Sequence, residues 1–257
     1  MITIITPAYN AERNIVKLYN NLQPLINDQI QWIIVNDKST DNTKNEIDKI
    51  KNENVISYTL DKNQGPQYAR YYGILRSKTK FIFLLDADDL IYNQNFKEFI
   101  EFIKKNPTYD FYYSILKAVN DVKHFTPNEN FIERREIEIK TPYNFIFTSL
   151  PHPSSLVINK EFYLKTHIDC NLAWGEDIYM YLILSQHGKG IRWIKPVSCY
   201  INNGLGRGSK LSISSRFNLS LALFKESFKA KRVSSFSFSL YMSIRYLVSY
   251  CYKKFRS

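Results

Sequence analysis

The first ninety residues alternate between short runs typical of β-strands and longer segments with helical spacing. Strands are predicted at residues 2–6, 31–35, 55–60 and 81–85. Helices are predicted between them, at about 11–25, 39–51 and 65–77. Parallel strands need a crossover connection, usually a helix, so this alternation is typical of a parallel sheet. It predicts an α/β fold, a doubly wound and mostly parallel Rossmann-like sheet.

The fourth strand ends at a group of acidic residues. Residues 81–85 are all apolar, which is typical of a strand covered on both faces, and Asp86, Asp88 and Asp89 follow at once. Ligands bind at the carboxyl ends of strands in open α/β sheets. Three adjacent carboxylates repel one another, and a hard divalent cation suits them. Asp is also favoured as a helix cap, so at this point metal binding and capping both remain open.

Beyond residue 90 the pattern is less regular. Residues 111–116 form an apolar segment, loop and edge structure is expected at 117–140, and a strand is predicted at 154–158. Helices are predicted at about 95–105, from Trp174-Gly-Glu-Asp177 to Gly188, at about 214–229 and at about 236–254. Gly188 is predicted to be a left-handed glycine that ends its helix.

The formal net charge of +11 is concentrated at the C-terminal end. Residues 1–205 carry 24 basic and 23 acidic side chains, whereas residues 206–257 carry 11 basic side chains and one acidic one. We therefore expect a nearly neutral domain at 1–205 and a basic, aromatic-rich helical extension at 206–257. An anionic membrane is expected to contact the extension. Nucleic acid is an unlikely partner, because no recognition module accompanies the charge.

The sequence also indicates the compartment. Three cysteines and four histidines show none of the spacings of zinc sites, and an odd number of cysteines argues against a disulfide framework. A strand is predicted within two residues of the start, and no apolar run reaches the ~18 residues of a membrane span. We expect a cytoplasmic protein, or one peripheral to the inner face of the cytoplasmic membrane.

Five blocks of sequence carry a family resemblance. They are Thr6-Pro-Ala-Tyr-Asn10, residues 35–43, residues 63–73, Leu85-Asp-Ala-Asp-Asp89 and Trp174-Gly-Glu-Asp177. In this order they resemble the family-2 glycosyltransferases of the GT-A fold, over about residues 1–190. The resemblance implies inverting transfer of a sugar from a nucleoside-diphosphate sugar, with UDP as the expected nucleotide. The implied acceptor is a hydroxyl of a growing surface glycan or a lipid-linked oligosaccharide.

The resemblance assigns residues to the nucleotide. Thr6, Pro7 and Tyr9 are expected to line the base pocket, with Tyr9 stacking on the base, and Glu12 to lie near the ribose or base. Asp37 is expected to accept a hydrogen bond from a pyrimidine N–H. The family usually has two acids at this point, and Asn replaces the first of them here.

The resemblance also assigns the diphosphate and the metal. Arg70 matches an arginine suited to a diphosphate. Asp86, Ala87 and Asp88 match the DXD element: Asp86 is expected at ribose or sugar hydroxyls and at the metal, and Asp88 as a ligand of Mg²⁺ or Mn²⁺. Asp89 is then left as a helix cap.

Asp177 matches the catalytic base, and Glu176 is the alternative. Inversion needs a base that takes the proton of the acceptor hydroxyl. The N-terminus of a helix is expected to keep the Asp177 carboxylate ionised. Arg207, in the glycine-rich segment 204–209, and Lys210, directly after it, are candidates for a diphosphate contact by a closing loop. A solvated loop is the alternative, and His152 has no defined role.

Alternatives remain for single residues and for the whole chain. Tyr9 could pack in the core, Asp37 could cap a helix, Arg70 could pair with a nearby acid, and Trp174 is more typical of a core residue. The chain could also be a non-catalytic nucleotide-sugar or membrane-binding protein of the same fold. A nucleotidyltransferase is less favoured, because the glycine-rich loop expected after the first strand is absent.

The last predicted helix has an apolar face. Phe236, Leu240, Ile244, Leu247 and Cys251 recur at helical spacing, and basic residues flank them. This pattern favours a helix lying on anionic lipid. The alternative is a helical pair packed on the domain with a solvated basic side.

Overall fold

The computed structural model describes residues 1–119, 136–147, 150–166, 168, 172, 175–201 and 212–254. The first four strands alternate with three helices, as predicted. These elements are β1 (Ile2–Ala8), α1 (Glu12–Leu22), β2 (Ile30–Asn36), α2 (Thr43–Asp48), β3 (Val55–Thr59), α3 (Pro66–Arg76) and β4 (Phe81–Leu84).

The second half contains short strands, together with the two longest of the described helices at its end. The elements up to α6 are β5 (Asp89–Ile91), α4 (Asn93–Lys105), β6 (Phe111–Tyr113), β7 (Leu116–Val119), β8 (Ile137–Ile139), α5 (Asn144–Phe147), β9 (Leu156–Asn159) and α6 (Lys160–Lys165). The rest are α7 (Glu176–His187), β10 (Gly190–Arg192), β11 (Ser198–Ile201), α8 (Ile213–Ala230) and α9 (Val233–Lys254).

Eight strands form the central sheet in the order β3-β2-β1-β4-β9-β6-β10-β8. The first four are parallel, and β9 runs antiparallel to both of its neighbours. A smaller sheet has the order β5-β11-β7. The predicted α/β class with a mostly parallel sheet and a C-terminal helical part is confirmed. Because β1, β2 and β4 are parallel neighbours, their carboxyl ends meet at one edge.

Apolar side chains of alternate residues pack on opposite faces of this sheet. In β1, Ile4 joins a cluster with Phe96 and Phe99 of α4, while Ile5 joins a cluster with Leu182 of α7 and Leu223 of α8. A strand buried on both faces has no polar side, which explains the continuous apolar runs in the sequence.

The strand β1 continues through Pro7, where the sequence predicted a break. Ile5 accepts a hydrogen bond from the N–H of Leu85, so the odd residues of β1 point their backbone groups toward β4. The nitrogen of Pro7 points the same way, beyond the last paired residue, Leu84. Proline has no N–H to donate to β4 there, so the pairing of β1 with β4 ends before Pro7, while β1 stays paired with β2 on its other side.

Gly188 does end α7, but not in the predicted left-handed conformation. Its φ is −131° and its ψ is 171°, which is extended backbone. A Cβ at this position would lie 2.3 Å from the ring of Phe162. Close packing, rather than backbone freedom, requires glycine here.

The helices α8 and α9 form an antiparallel hairpin that packs on α7. The hydroxyls of Ser227 and Ser239 are 2.7 Å apart between the two helices, and Arg216 donates a hydrogen bond of 3.1 Å to the carbonyl of Tyr246. Arg232 donates a hydrogen bond to the carbonyl of Gln186 at the end of α7. The division at residues 205 and 206 stays a prediction.

Candidate functional site

A cleft of about 1030 Å³ opens at the sheet edge where β1, β2 and β4 end. Its walls are the turns after these strands and the N-terminal ends of α3 and α7. The predicted site residues that line it are Pro7, Tyr9, Asp37, Arg70, Asp86, Ala87, Asp88, Glu176 and Asp177. Residues from five separate blocks of sequence therefore meet in one cavity.

Two residues assigned to the base pocket do not line the cleft. Thr6 is fully buried, and its hydroxyl accepts a hydrogen bond of 2.9 Å from the indole of Trp32. The carboxylate of Glu12 accepts from the backbone N–H of Asn42 at 3.2 Å. Both side chains hold neighbouring segments together. Arg207, with Trp174 and Lys210, lies outside the described residues.

Asp37 holds the turn that leads into α3. Its two carboxylate oxygens accept backbone N–H groups of Gln64 and Gly65, each at 2.8 Å, and the side chain is buried. Gly65 has a φ of 87°, a conformation that favours glycine. Each carboxylate oxygen can accept a second bond, so Asp37 still has capacity for a ligand. Asp37 thus contacts the turn before α3, rather than capping α2, the helix that follows it in the sequence.

Arg70 forms an ion pair with Asp86. One guanidinium nitrogen lies 2.5 Å from Asp86 Oδ1, and another lies 3.9 Å from Glu176 Oε1. Burial alone would lower the pKa of Arg70, but the charges of Asp86 and Glu176 outweigh it and raise the pKa. The cation is 3% exposed and joins two walls of the cleft. Arg70 therefore pairs with nearby acids, as in the alternative to a diphosphate contact.

Asp89 is not a helix cap, as the sequence had predicted. It is the first residue of β5, it is buried, and α4 begins four residues later at Asn93. Ser154 donates its hydroxyl to Asp89 and accepts the N–H of Asp86 at 3.0 Å. Burial, with the charges of Asp86 and Asp88, raises the pKa of Asp89 well above its usual value.

His152 joins this acidic group. Its Nδ1 lies 3.7 Å from Asp89 Oδ2, and burial lowers its pKa. Asp86, Asp89 and His152 each offer one ligand atom, and these atoms all lie within 4.8 Å of one another. Two carboxylates and an imidazole can bind Mn²⁺ or Mg²⁺. Both ions prefer the carboxylate oxygens to the imidazole nitrogen. Asp88, the predicted ligand, lines the cleft beside them.

Asp177 lies in the first turn of α7, with a pKa raised to about 6. Burial is the largest cause and the charge of Glu176 adds to it, while a hydrogen bond from the Ile178 N–H and the charge of Arg70 act against it. The sequence had predicted that the helix terminus would keep this carboxylate ionised. Desolvation outweighs the terminus, and the resulting pKa is closer to that of an effective general base.

Gly175 sets the direction of α7 at the cleft. Its φ is 78°, and a Cβ there would lie 2.6 Å from Leu219 of α8. The backbone conformation and the close approach of α8 both require glycine. The hairpin therefore packs directly behind the residues that present Glu176 and Asp177.

Among the polar side chains that were not predicted are Gln67, which lines the cleft, and Tyr181 of α7. Gln67 donates to the hydroxyl of Tyr163 at 3.1 Å, while its Oε1 has no hydrogen-bond partner among the described residues. The hydroxyl of Tyr181, one turn after Asp177, is buried and likewise lacks a partner in the described part of the chain. Gln67 lies in a matched block, but a glutamine or tyrosine in a helix gives no signal of its own.

Comparison with known proteins identifies the same fold and family. The family model described as glycosyl transferase family 2 matches residues 3–166. The minor teichoic acid biosynthesis protein GgaB of Bacillus subtilis is 28% identical over 194 residues, which cover 73% of this chain and 21% of GgaB. The poly(ribitol-phosphate) β-N-acetylglucosaminyltransferase TarS of Staphylococcus aureus is 25% identical over 188 residues, which cover 66% of this chain and 33% of TarS. This chain thus spans a third or less of the length of these two curated relatives.

Solved structures extend the likeness to most of the chain. The crystal structure of S. aureus TarS residues 1–349 with UDP-GlcNAc matches with a TM-score of 0.70 and 21% identity, over 88% of this chain and 66% of that one. A mannosyltransferase from Pyrobaculum calidifontis, in complex with GDP-Man and Mn²⁺, matches with a TM-score of 0.62 and 13% identity. The match covers 96% of this chain and 74% of the mannosyltransferase chain.

Proposed function

Since this chain belongs to the glycosyl transferase family 2, we propose that it is an inverting, metal-dependent glycosyltransferase. The donor is a nucleoside-diphosphate sugar, and the group transferred is a hexose or an N-acetylhexosamine. The acceptor is a hydroxyl of a growing surface glycan or of a lipid-linked oligosaccharide.

One observation carries the proposal. Arg70 joins Asp86, at the end of β4, to Glu176, at the start of α7, in a cleft that Asp177 also lines. The buried cation thereby fixes the proposed donor side, at Asp86, relative to the start of α7, which carries the candidate base. A transferase needs this placement, because the acceptor oxygen must attack the anomeric carbon opposite the leaving diphosphate.

The donor is proposed to be a UDP-sugar. The similar TarS was solved in complex with UDP-GlcNAc, and the matched blocks at the cleft include Pro7, Tyr9 and Asp37. Tyr9 is 46% exposed and free to stack on a base, and Asp37 has acceptor capacity for a pyrimidine N–H.

Asp177 is proposed to be the base. A carboxylate with a pKa of about 6 is ionised at neutral pH and takes a proton more readily than an exposed aspartate. Glu176 is the less favoured alternative, because it faces Arg70 at 3.9 Å. Arg70 holds Asp86 and Glu176 in position, and its buried ion pair limits any direct contact with the diphosphate.

A divalent cation fits the residues at the end of β4. Asp86 and Asp88 are the proposed ligands, with His152 as a further one beside them. When bound, Mn²⁺ or Mg²⁺ supplies positive charge that stabilises the departing diphosphate. The mannosyltransferase of similar fold was solved with Mn²⁺.

We place the reaction at the inner face of the cytoplasmic membrane. The acceptor chemistry and the basic extension at 206–257 support this location. No helix among the described residues is long and apolar enough to cross a membrane.

Thermal shift with nucleotides tests donor binding and separates this proposal from the alternatives. We expect UDP with Mn²⁺ to raise the Tm of the wild-type chain, EDTA to remove most of that gain, and Asp86→Ala to abolish it. A panel of UDP- and GDP-sugars then identifies the donor. A non-catalytic binding protein would show the shift but release no nucleoside diphosphate. No shift with any nucleotide would contradict the proposal.

A further inference from the structure

The helix α8 exposes an apolar stripe in addition to its buried side. Its buried side includes Leu219 and Leu223, which pack against the domain. The stripe recurs every three or four residues, and four of its members are between 54% and 67% exposed. It consists of Ile213, Phe217, Leu221, Phe224 and Phe228. A surface helix that packs by one side normally has polar residues on the rest of its surface, so a second apolar side calls for a partner.

The helix α9 continues this surface. Leu240, Ile244 and Leu247 are each 54% exposed and share one side of the helix. The rings of Phe228 and Phe236 meet edge to face, with centroids 4.7 Å apart, so the stripes of the two helices join beside the turn. We call the combined surface of these nine residues the hairpin face. The side chain of Cys251, also predicted to belong to it, lies outside the described part.

The charges of the hairpin are positive. Among the described side chains of the hairpin, five basic residues are exposed, and the acidic residue Glu226 pairs with Lys229 at 2.5 Å. The exposed basic residues are Lys225, Lys229, Lys231, Arg232 and Arg245. Two copies of so basic a hairpin would repel each other, whereas anionic lipid headgroups attract each basic side chain by about 1 kcal/mol. The charge therefore favours a membrane over a second copy of the chain.

We propose that the hairpin face lies in the interface of an anionic membrane. The apolar stripe enters the acyl-chain boundary, and the basic side chains contact headgroup phosphates. The proposal deepens the proposed function and rests on it for the membrane-linked acceptor. Because Leu219, on the buried side of α8, contacts Gly175, membrane binding would hold the cleft near the surface that carries the acceptor.

Vesicle flotation of the full chain tests this surface. The vesicles are phosphatidylcholine alone, or phosphatidylcholine mixed equally with phosphatidylglycerol. The test variant is Phe217→Ser with Leu221→Ser, which changes side chains that are 67% and 59% exposed. The matched control is Tyr68→Ser with Tyr71→Ser on α3, where the side chains are 41% and 40% exposed on another surface.

We expect wild type and control to float with anionic vesicles and much less with neutral ones. The test variant should bind on the order of 10-fold or more weakly, since two large apolar side chains no longer enter the membrane. Equal binding of test variant and control, or no flotation of wild type, would overturn the proposal. So would a wild-type dimer in light scattering that the test variant dissociates.

Two measurements keep folding and catalysis separate from membrane binding. Unchanged Tm of the test variant shows that the loss of flotation is not unfolding. Nucleotide-sugar turnover without vesicles reports the proposed function alone. Flotation without turnover in wild type would contradict the enzyme, whereas turnover without flotation would contradict the membrane surface.

Discussion

At the scale of single residues, the site depends on how buried charges are arranged. The positive charge of Arg70 pairs with Asp86 and lies near Glu176. Asp177 is buried, and the charge of Arg70 lowers its pKa only in part. The sequence could assign these residues to one cleft, because strand ends of a parallel sheet meet at one edge. It could not show that Arg70 is occupied by an ion pair or that burial raises the pKa of Asp177, since both depend on side-chain packing.

The raised pKa of Asp177 predicts a dependence of stability on pH. The folded state binds the proton more tightly than the unfolded state, so this contribution to stability is complete below about pH 3.8 and is lost as pH rises through about 6. At pH 8 the ionised side chain costs at most about 3 kcal/mol. We expect Asp177→Asn to raise the Tm at pH 8, and the gain to shrink toward pH 4. A gain that is equal at both pH values would contradict the shift.

The acidic group after β4 predicts how the metal is held. We expect Asp88→Ala and His152→Ala each to weaken Mn²⁺ binding by about 10-fold or more, measured by the EPR signal of free Mn²⁺. Asp110→Ala serves as a control, since Asp110 is an acid outside the cleft that accepts the N–H of Lys189. If His152→Ala binds Mn²⁺ like wild type, the imidazole is not a ligand.

At the scale of elements, the sequence predicted the strand and helix order of the first half well. Segments that are strongly periodic, such as α1, or wholly apolar, such as β4, have strong local signals. The short strands β5, β7 and β8 have three or four residues each, and they form through pairing with distant strands rather than through their own sequence. This is why the sequence predicts a helix cap at Asp89, which in the structure begins β5.

The contact between α7 and α8 gives a prediction at this scale. Gly175→Ala places a methyl group against Leu219 and strains a backbone with φ of 78°, so we expect lower stability and lower kcat. Leu219→Ala leaves a cavity and also destabilises. In the double variant the methyl group occupies part of that cavity. We therefore expect the free energy of unfolding, measured in urea, to fall less in the double variant than the two single losses add up to. The difference should be at least about 0.5 kcal/mol. Strict additivity would contradict the contact.

At the scale of the whole molecule, the cleft and the hairpin face are two separate surfaces with different chemistry. The acids line the cleft, whereas the hairpin face is apolar and basic side chains are exposed on the same hairpin. The charge asymmetry of the sequence predicted the second surface in part, from α9. The sequence does not reveal the stripe of α8, because exposed and buried apolar residues both recur at helical spacing and only packing shows which of them are covered.

The central claim is that this cleft transfers a sugar from a nucleotide with Asp177 as base. The most direct measurement is release of nucleoside diphosphate from a panel of nucleotide sugars with Mn²⁺, comparing wild type with Asp177→Asn. We predict that wild type turns over at least one UDP-sugar, and that the variant loses at least about 10²-fold in rate while its Tm still rises with UDP. Equal turnover by wild type and Asp177→Asn would contradict the assigned base, and no turnover of any donor by wild type would contradict the enzyme.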